Sequence, residues 1–190
     1  TSDLYFKITD KTSTSITYSA DASNGGSLEI THSIEDYRLH SDIAFVGMQG
    51  IVEERQYLDW SASGLRNEKG LQWERQHTSI FYKEVDQGRS YLSEGRSDDE
   101  VLENRLDWMA FKQNFFSALV SSPEGFETGS ELENTLVEGD TINTLHFQAV
   151  LPMDARVSGN RMEQRLDFYF GPNRLNDLNT TGLSEVGRII

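Results

Sequence analysis

Residues 106–123 read LDWMAFKQNFFSALVSSP, the densest apolar stretch of an otherwise polar, acidic chain. Trp108, Phe111, Phe115 and Phe116 lie close together in it, and large aromatics bury so much surface that the core must form around them. Two periods compete. Trp108, Phe111, Phe115 and Leu119 fit one helical face, whereas Trp108, Ala110, Phe116, Ala118 and Val120 share a parity that two strands turning near residues 112–114 would use. The flanking sequence decides between them.

Leu145, Phe147, Ala149 and Leu151 alternate with Thr144, His146, Gln148 and Val150 until Pro152. Met162, Gln164, Leu166, Phe168 and Phe170 alternate with Glu163, Arg165, Asp167 and Tyr169. Both runs predict strands, and Gly159-Asn160 between them predicts a hairpin. Residues 3–9 and 15–20 alternate in the same way, and Asn24-Gly25-Gly26 is a strong turn. Across residues 28–46 the apolar positions switch from even to odd numbers, which demands a turn or bulge at Glu35-Asp36.

Residues 51–95 are less regular, with strands expected at 56–60, 77–84 and 89–93 and an excursion over 62–73. Glu74-Arg75 and Lys83-Glu84 read as a solvated, mixed-charge face. Residues 97–103 read as a short helical turn, and 124–140 as an exposed loop. Gly171-Pro172 should stop the last long strand and start a short helix over 173–178, ended by Gly182. Leu183, Val186 and Ile190 then begin an amphipathic helix. About eight to twelve strands with helix only at the end make an all-β, mainly antiparallel sandwich. In that company residues 106–123 read as two core strands.

The length of 190 residues suits one domain with a sizeable core. Seventeen Lys and Arg against 31 Asp and Glu give a net charge of −14, which repels phosphates and argues against a nucleic-acid partner. The absence of cysteine excludes disulfides, thiolate catalysis and Cys-based zinc sites. No apolar run approaches the roughly 20 residues of a spanning helix. The ends at Thr1 and Ile190 read as those of a piece cut from a longer protein.

Chemistry is sparse. No metalloprotease, nucleophile-elbow, P-loop or dinucleotide motif is present. His32 and His40 fall on either side of the parity switch and read as strand-surface residues. Asp98, Asp99 and Glu100 have the type of calcium ligands but lack the spacing, the Gly and the closing Glu of an EF-hand. No cofactor or metal is expected, and the chain reads as no enzyme.

The run from Trp108 to Val120, followed some fifty residues later by Phe168-Tyr169-Phe170-Gly171-Pro172 and an amphipathic tail, resembles the periplasmic domain of the YidC membrane protein insertases. The likeness is close over residues 106–178 and looser over 28–93, and it departs from many members in carrying Phe at 115 and a late Pro123. It implies a β-supersandwich of the galactose-mutarotase-like kind, lacking its first strands, with short C-terminal helices. It further implies a single domain over residues 1–190 on the periplasmic side of the bacterial inner membrane, whose tail, 173–190, leads towards a transmembrane helix.

The implied role is non-catalytic: scaffold and contact surface in the insertion and folding of membrane proteins. SecDF and Sec translocon components would be partners, and nascent membrane proteins would be met through the whole protein; the isolated domain is expected to be monomeric. Trp108, Ala110, Phe115, Phe116, Gly171 and Pro172 form the family-signature core, and Leu183, Val186, Ile189 and Ile190 a membrane-proximal coupling helix. The alternative is a carbohydrate-binding or carbohydrate-active sandwich, for which Trp60, Trp73, His77 and His146 are the raw material.

Overall fold

The computed structural model describes residues 5–190, and among them residues 106–112 and 116–123 are strand, joined by a short loop and nowhere helical. They sit inside a ten-stranded sheet. Its order is β1 (Lys7–Lys11), β2 (Ser15–Asp21), β3 (Ser27–Glu35), β4 (Arg38–Val46), β14 (Arg161–Pro172), β10 (Phe116–Phe126), β9 (Leu106–Lys112), β6 (Ser79–Glu84) and β7 (Arg89–Tyr91), with β13 (Arg156–Ser158) also pairing β14. A second sheet runs β5 (Arg55–Leu65), β12 (Asn143–Asp154), β11 (Glu131–Thr135) and β8 (Asp98–Val101). All strand pairs within the two sheets are antiparallel. The expected strand over residues 3–9 begins outside the described residues.

The inner face of the large sheet packs on the small one. Phe111 of β9 stacks on Phe147 of β12 at 5.0 Å, and Trp60 of β5 meets Phe168 of β14 at 5.6 Å. Ile80, Met109, Val120, Leu132, Leu145 and Leu151 fill the space between. The outer face carries a separate cluster in which Phe81, Trp108, Ala110, Leu119 and Tyr169 pack against Leu178, Val186 and Ile189 of the C-terminal tail. The strands β9 and β10 are thus covered on both sides, which produces the continuous apolar run that made the period ambiguous.

The three-residue loop 113–115 sets the register, pairing Lys112 with Ser117 and Ala110 with Leu119. Even positions of β9 therefore face the same way as odd positions of β10. Trp108 and Ala110 point outward and Phe116, Ala118 and Val120 inward, so the five residues of shared parity do not share a face.

Several sequence expectations change. The strands over 145–151 and 162–170 are not a hairpin, since β12 and β14 lie in different sheets; the tight turn at Gly159 closes β13 on β14. Pro152 does not end its strand, because β12 continues to Asp154 with Pro152 opposite Tyr57. Its carbonyl accepts from the Glu127 N–H at 2.7 Å on the side away from β5, and the N–H that proline lacks would point the same way, so the ladder to β5 loses nothing. Residues 97–103 form β8, not a helical turn, and the loop expected over 124–140 contains β11 with Leu132 and Asn134 buried.

The excursion over 62–73 is shorter than expected: β5 runs to Leu65, and helix α1 (Leu71–Arg75) follows. Glu74 is no solvated charge but fully buried, and its carboxylate accepts the backbone N–H groups of Asn67 and Glu68 at 3.0–3.1 Å. Arg75 donates to the carbonyls of Thr144 and Asp140 at 3.1 and 2.7 Å, tying α1 to the small sheet. Replacing Glu74 by Ala removes the acceptor of three backbone contacts and should lower stability in urea titration by about 2 kcal/mol or more. A change within experimental error would show that the carboxylate does not hold the excursion.

Candidate functional site: the outer face and its tail

Residues 173–190 cover the outer face of the large sheet. Helix α2 (Leu175–Asn179) buries Leu178, and a 3₁₀ turn over Val186–Ile189 buries Val186 and Ile189, both within 1% of full burial, while Leu183 is partly covered. In a 3₁₀ turn positions i and i+3 eclipse, so those two side chains face the sheet together. The continuous amphipathic helix expected from Leu183 onward does not form. Glu185 enters the left-handed region at φ 60° and Gly187, a poor helix former, follows.

The sheet holds the tail by polar contacts as well as apolar ones. The Trp108 indole N–H donates to the Ser184 carbonyl at 3.0 Å, and the Arg38 guanidinium donates to the Thr180 carbonyl at 3.0 Å. Tyr169 closes the lower end, its hydroxyl donating to the Pro172 carbonyl at 2.6 Å, and burial pushes that phenol up to about 12. Beside them His40 pairs with Asp167 on the same outer face, and Arg165 approaches both.

The ten residues singled out from the sequence separate into two groups. Trp108, Ala110, Leu183, Val186 and Ile189 meet in the outer cluster, whereas Ile190 is 63% exposed at the end of the chain. Phe116, Gly171 and Pro172 meet at one end of the large sheet, where Phe116 pairs with Pro172. Phe115 and Phe116 do not join the core: they are 47% and 54% exposed, Phe115 in the loop 113–115 outside the ladder and Phe116 at the first position of β10, on the wall of an open cleft. A side chain at Gly171 would press into the Tyr169 ring at 2.6 Å, so glycine is required for that close approach.

This end also holds a cleft of about 530 Å³ walled by Phe111, Phe116, Phe147, Phe170 and Tyr37. The sequence contained its signal, the inward parity of Phe116 and Phe170, but the register across residues 113–115 was needed to read it. Lys112, which no sequence pattern marks, is buried nearby with its ammonium 3.9 Å from Glu94 and 5.3 Å from the centre of the Phe81 ring; burial lowers its pKa.

The aromatic and histidine residues considered for a sugar site do not converge. Trp60 packs between the sheets on Phe111 at 4.5 Å, Trp73 stacks on His77 at 4.3 Å on and just after α1, and His146 bonds Ser63 at 2.8 Å on the solvent side of β12. The Asp140 carboxylate accepts from the Asn143 and Ile142 backbone N–H groups at 2.9 and 2.8 Å, and these bonds hold it well below the usual carboxylate range. Among the described residues no three His, Asp or Glu side chains gather as a metal site.

The backbone defines the class. A putative aldose 1-epimerase from Escherichia coli superposes with a TM-score of 0.52 over 88% of this chain and 68% of its own, at 8% identity, so the fold is the galactose-mutarotase-like supersandwich. No protein-family model matches the chain. The membrane protein insertase YidC of Parabacteroides distasonis is 31% identical over 180 residues, and that of Phocaeicola vulgatus 30% identical over 190. These alignments cover 92% and 97% of this chain. The chain belongs to the YidC family of membrane protein insertases, and it spans 28–30% of the length of these relatives. Among the described residues no helix is long and apolar enough to cross a membrane.

Two outcomes test the geometry. Ile189→Ala should cost about 2–4 kcal/mol by denaturant titration, whereas Ile190→Ala should stay within about 0.5 kcal/mol; equal costs would contradict the placement of the tail. Asp140 has a folded pKa below its unfolded one, so its contribution is present above about pH 4 and is lost as pH falls further. The gap in melting temperature between the parent and Asp140→Asn should therefore narrow on acidification, and a gap that widens would contradict the assignment.

Proposed function

We propose that this chain is a non-catalytic domain of a YidC insertase, lying on the periplasmic side of the bacterial inner membrane, that serves as scaffold and contact surface during membrane protein insertion. The family membership supports the insertase context. The observation that carries the scaffold reading is the fastening of the tail: Leu178, Val186 and Ile189 are locked onto the outer face by Trp108 and Arg38, and the exposed Ile190 leaves that face at the end of residues 173–190. A rigid sandwich joined in this way transmits its position to whatever the tail enters, which in this reading is a membrane-spanning helix. SecDF and Sec translocon components are the proposed contacts, and nascent membrane proteins are met through the whole protein. The scattered placement of Trp60, Trp73, His77 and His146 gives the carbohydrate reading no support of its own.

The test is made in the full-length insertase, in cells depleted of their own copy. Val186→Asp places a charge in the outer cluster and should release the tail, lowering insertion of a reporter membrane protein at least about threefold at matched insertase level. Ile190→Ala should leave insertion unchanged. Normal insertion with a tail shown by limited proteolysis to be released would remove the scaffold reading, and failure of the periplasmic regions of SecDF to co-purify would remove the proposed contact.

A further inference from the structure

One end of the large sheet is apolar without being covered. The loop 113–115, the start of β10 and the end of β14 meet there, and the first residues of the tail are bound to them. The Asn173 N–H donates to the Phe115 carbonyl at 2.7 Å, and the Asn173 side chain donates to the Gln113 and Asn114 carbonyls at 2.7 and 3.2 Å. Tyr37 joins from the turn between β3 and β4, its carbonyl accepting from the Phe170 N–H at 2.8 Å. The end is therefore one connected surface.

The last turn of the tail returns to the same place. A side chain at Gly187 would press on a Leu175 methyl at 2.5 Å, so the 3₁₀ turn lies directly against the start of α2. Ile190 follows three residues later. Tyr37, Phe115, Phe116, Phe170, Leu175 and Ile190 are all exposed, and three of the four exposed phenylalanines among the described residues are in this group. Single exposed apolar residues are ordinary, but a gathering of large ones marks a contact surface.

The charge along this end is nearly balanced. Glu35, Asp177 and Glu185 border it, and each is ion-paired to the arginine three residues away, Arg38, Arg174 and Arg188. That leaves Asp36 beside Tyr37, so most of the surplus acid of a chain of net charge −14 lies elsewhere.

We propose that this end of the sandwich rests on a lipid bilayer, with Phe115, Phe116 and Leu175 set among the headgroups. The inference rests on the reading in which the tail leads to a membrane-spanning helix, and it adds where the sandwich itself meets lipid. Two observations favour this occupant. The relatives are membrane protein insertases, and the tail finishes against Leu175, so chain entering a bilayer beyond Ile190 brings the patch to the bilayer surface. Apolar rings and leucine bordered by arginine also suit the headgroup boundary, where apolar side chains enter about 5–10 Å and guanidinium groups stay with the phosphates. A surface whose arginines each carry their own acid has little net charge with which to steer a charged protein partner, whereas burial in lipid requires none.

The full-length insertase in vesicles of phosphatidylethanolamine and phosphatidylglycerol, with any cysteine outside this chain replaced, reads the contact. Bimane is attached through Phe115→Cys, through Leu175→Cys and, as control, through Val157→Cys; the chain has no cysteine of its own. Val157 is as exposed as Phe115 but lies opposite Met162, eight residues along β14 from Phe170, which is roughly 26 Å at about 3.3 Å per residue. Spin-labelled lipids should quench the first two labels and place them within about 10 Å of the headgroup level, while the control stays unquenched. Water-like emission without quenching at the first two positions, or equal quenching at all three, would overturn the proposal. Blue-shifted emission there that no spin-labelled lipid quenches would overturn it too, assigning the patch to a protein surface. Both test positions are exposed, and failure of one variant to fold leaves the other to decide. The two readings fail separately: unquenched labels beside a Val186→Asp variant that still lowers insertion would strike the bilayer contact and leave the scaffold role in place.

Discussion

Burying a strand on both faces commits a protein to finding two covers for it, and the strands β9 and β10 impose that commitment here. One cover is the small sheet, which meets Met109, Phe111 and Val120. The other is the tail, which meets Trp108, Ala110 and Leu119 through Leu178, Val186 and Ile189. Trp108, fully buried, joins the two kinds of force: its ring fills the outer cluster and its N–H satisfies the Ser184 carbonyl where the tail has no regular helix to do so. Without the tail the outer face would expose a contiguous apolar patch centred on the largest fully buried side chain, a surface that soluble proteins rarely leave open.

Much of this was legible in local pattern. The alternation over 145–151 and 162–170, the Asn24-Gly25-Gly26 turn and the parity switch at Glu35-Asp36 each rest on nearest-neighbour geometry, and β12, β14 and the hairpins β2–β3 and β3–β4 follow from them. What failed depended on distant partners. The strands β8 and β11 carry mostly polar side chains, because only Leu132 and Asn134 of β11 turn inward, so no periodic apolar signal marked them. Glu74 looked like surface charge because its acceptor role exists only once residues 67 and 68 fold over it.

The candidate site was half legible for the same reason. Trp108 and the tail stripe were visible as apolar residues, but whether they share a face depends on the register of Lys112 with Ser117, which a loop of three residues sets and no residue type announces. Phe115 and Phe116 illustrate the cost: their hydrophobicity suggests core, and their position at the turn between β9 and β10 leaves them half-exposed. Conversely, the outward turn of Ile190 isolates one member of a stripe whose other members are structural.

The central claim is that the tail is part of the sandwich and not an appendage to it. Equilibrium unfolding of the chain ended after Asn173, compared with the whole chain, tests this most directly. Loss of the buried Leu178, Val186 and Ile189 should lower the unfolding free energy by about 4 kcal/mol or more and open a site for a hydrophobic dye at the large sheet. Unchanged stability with no added dye binding would contradict the account.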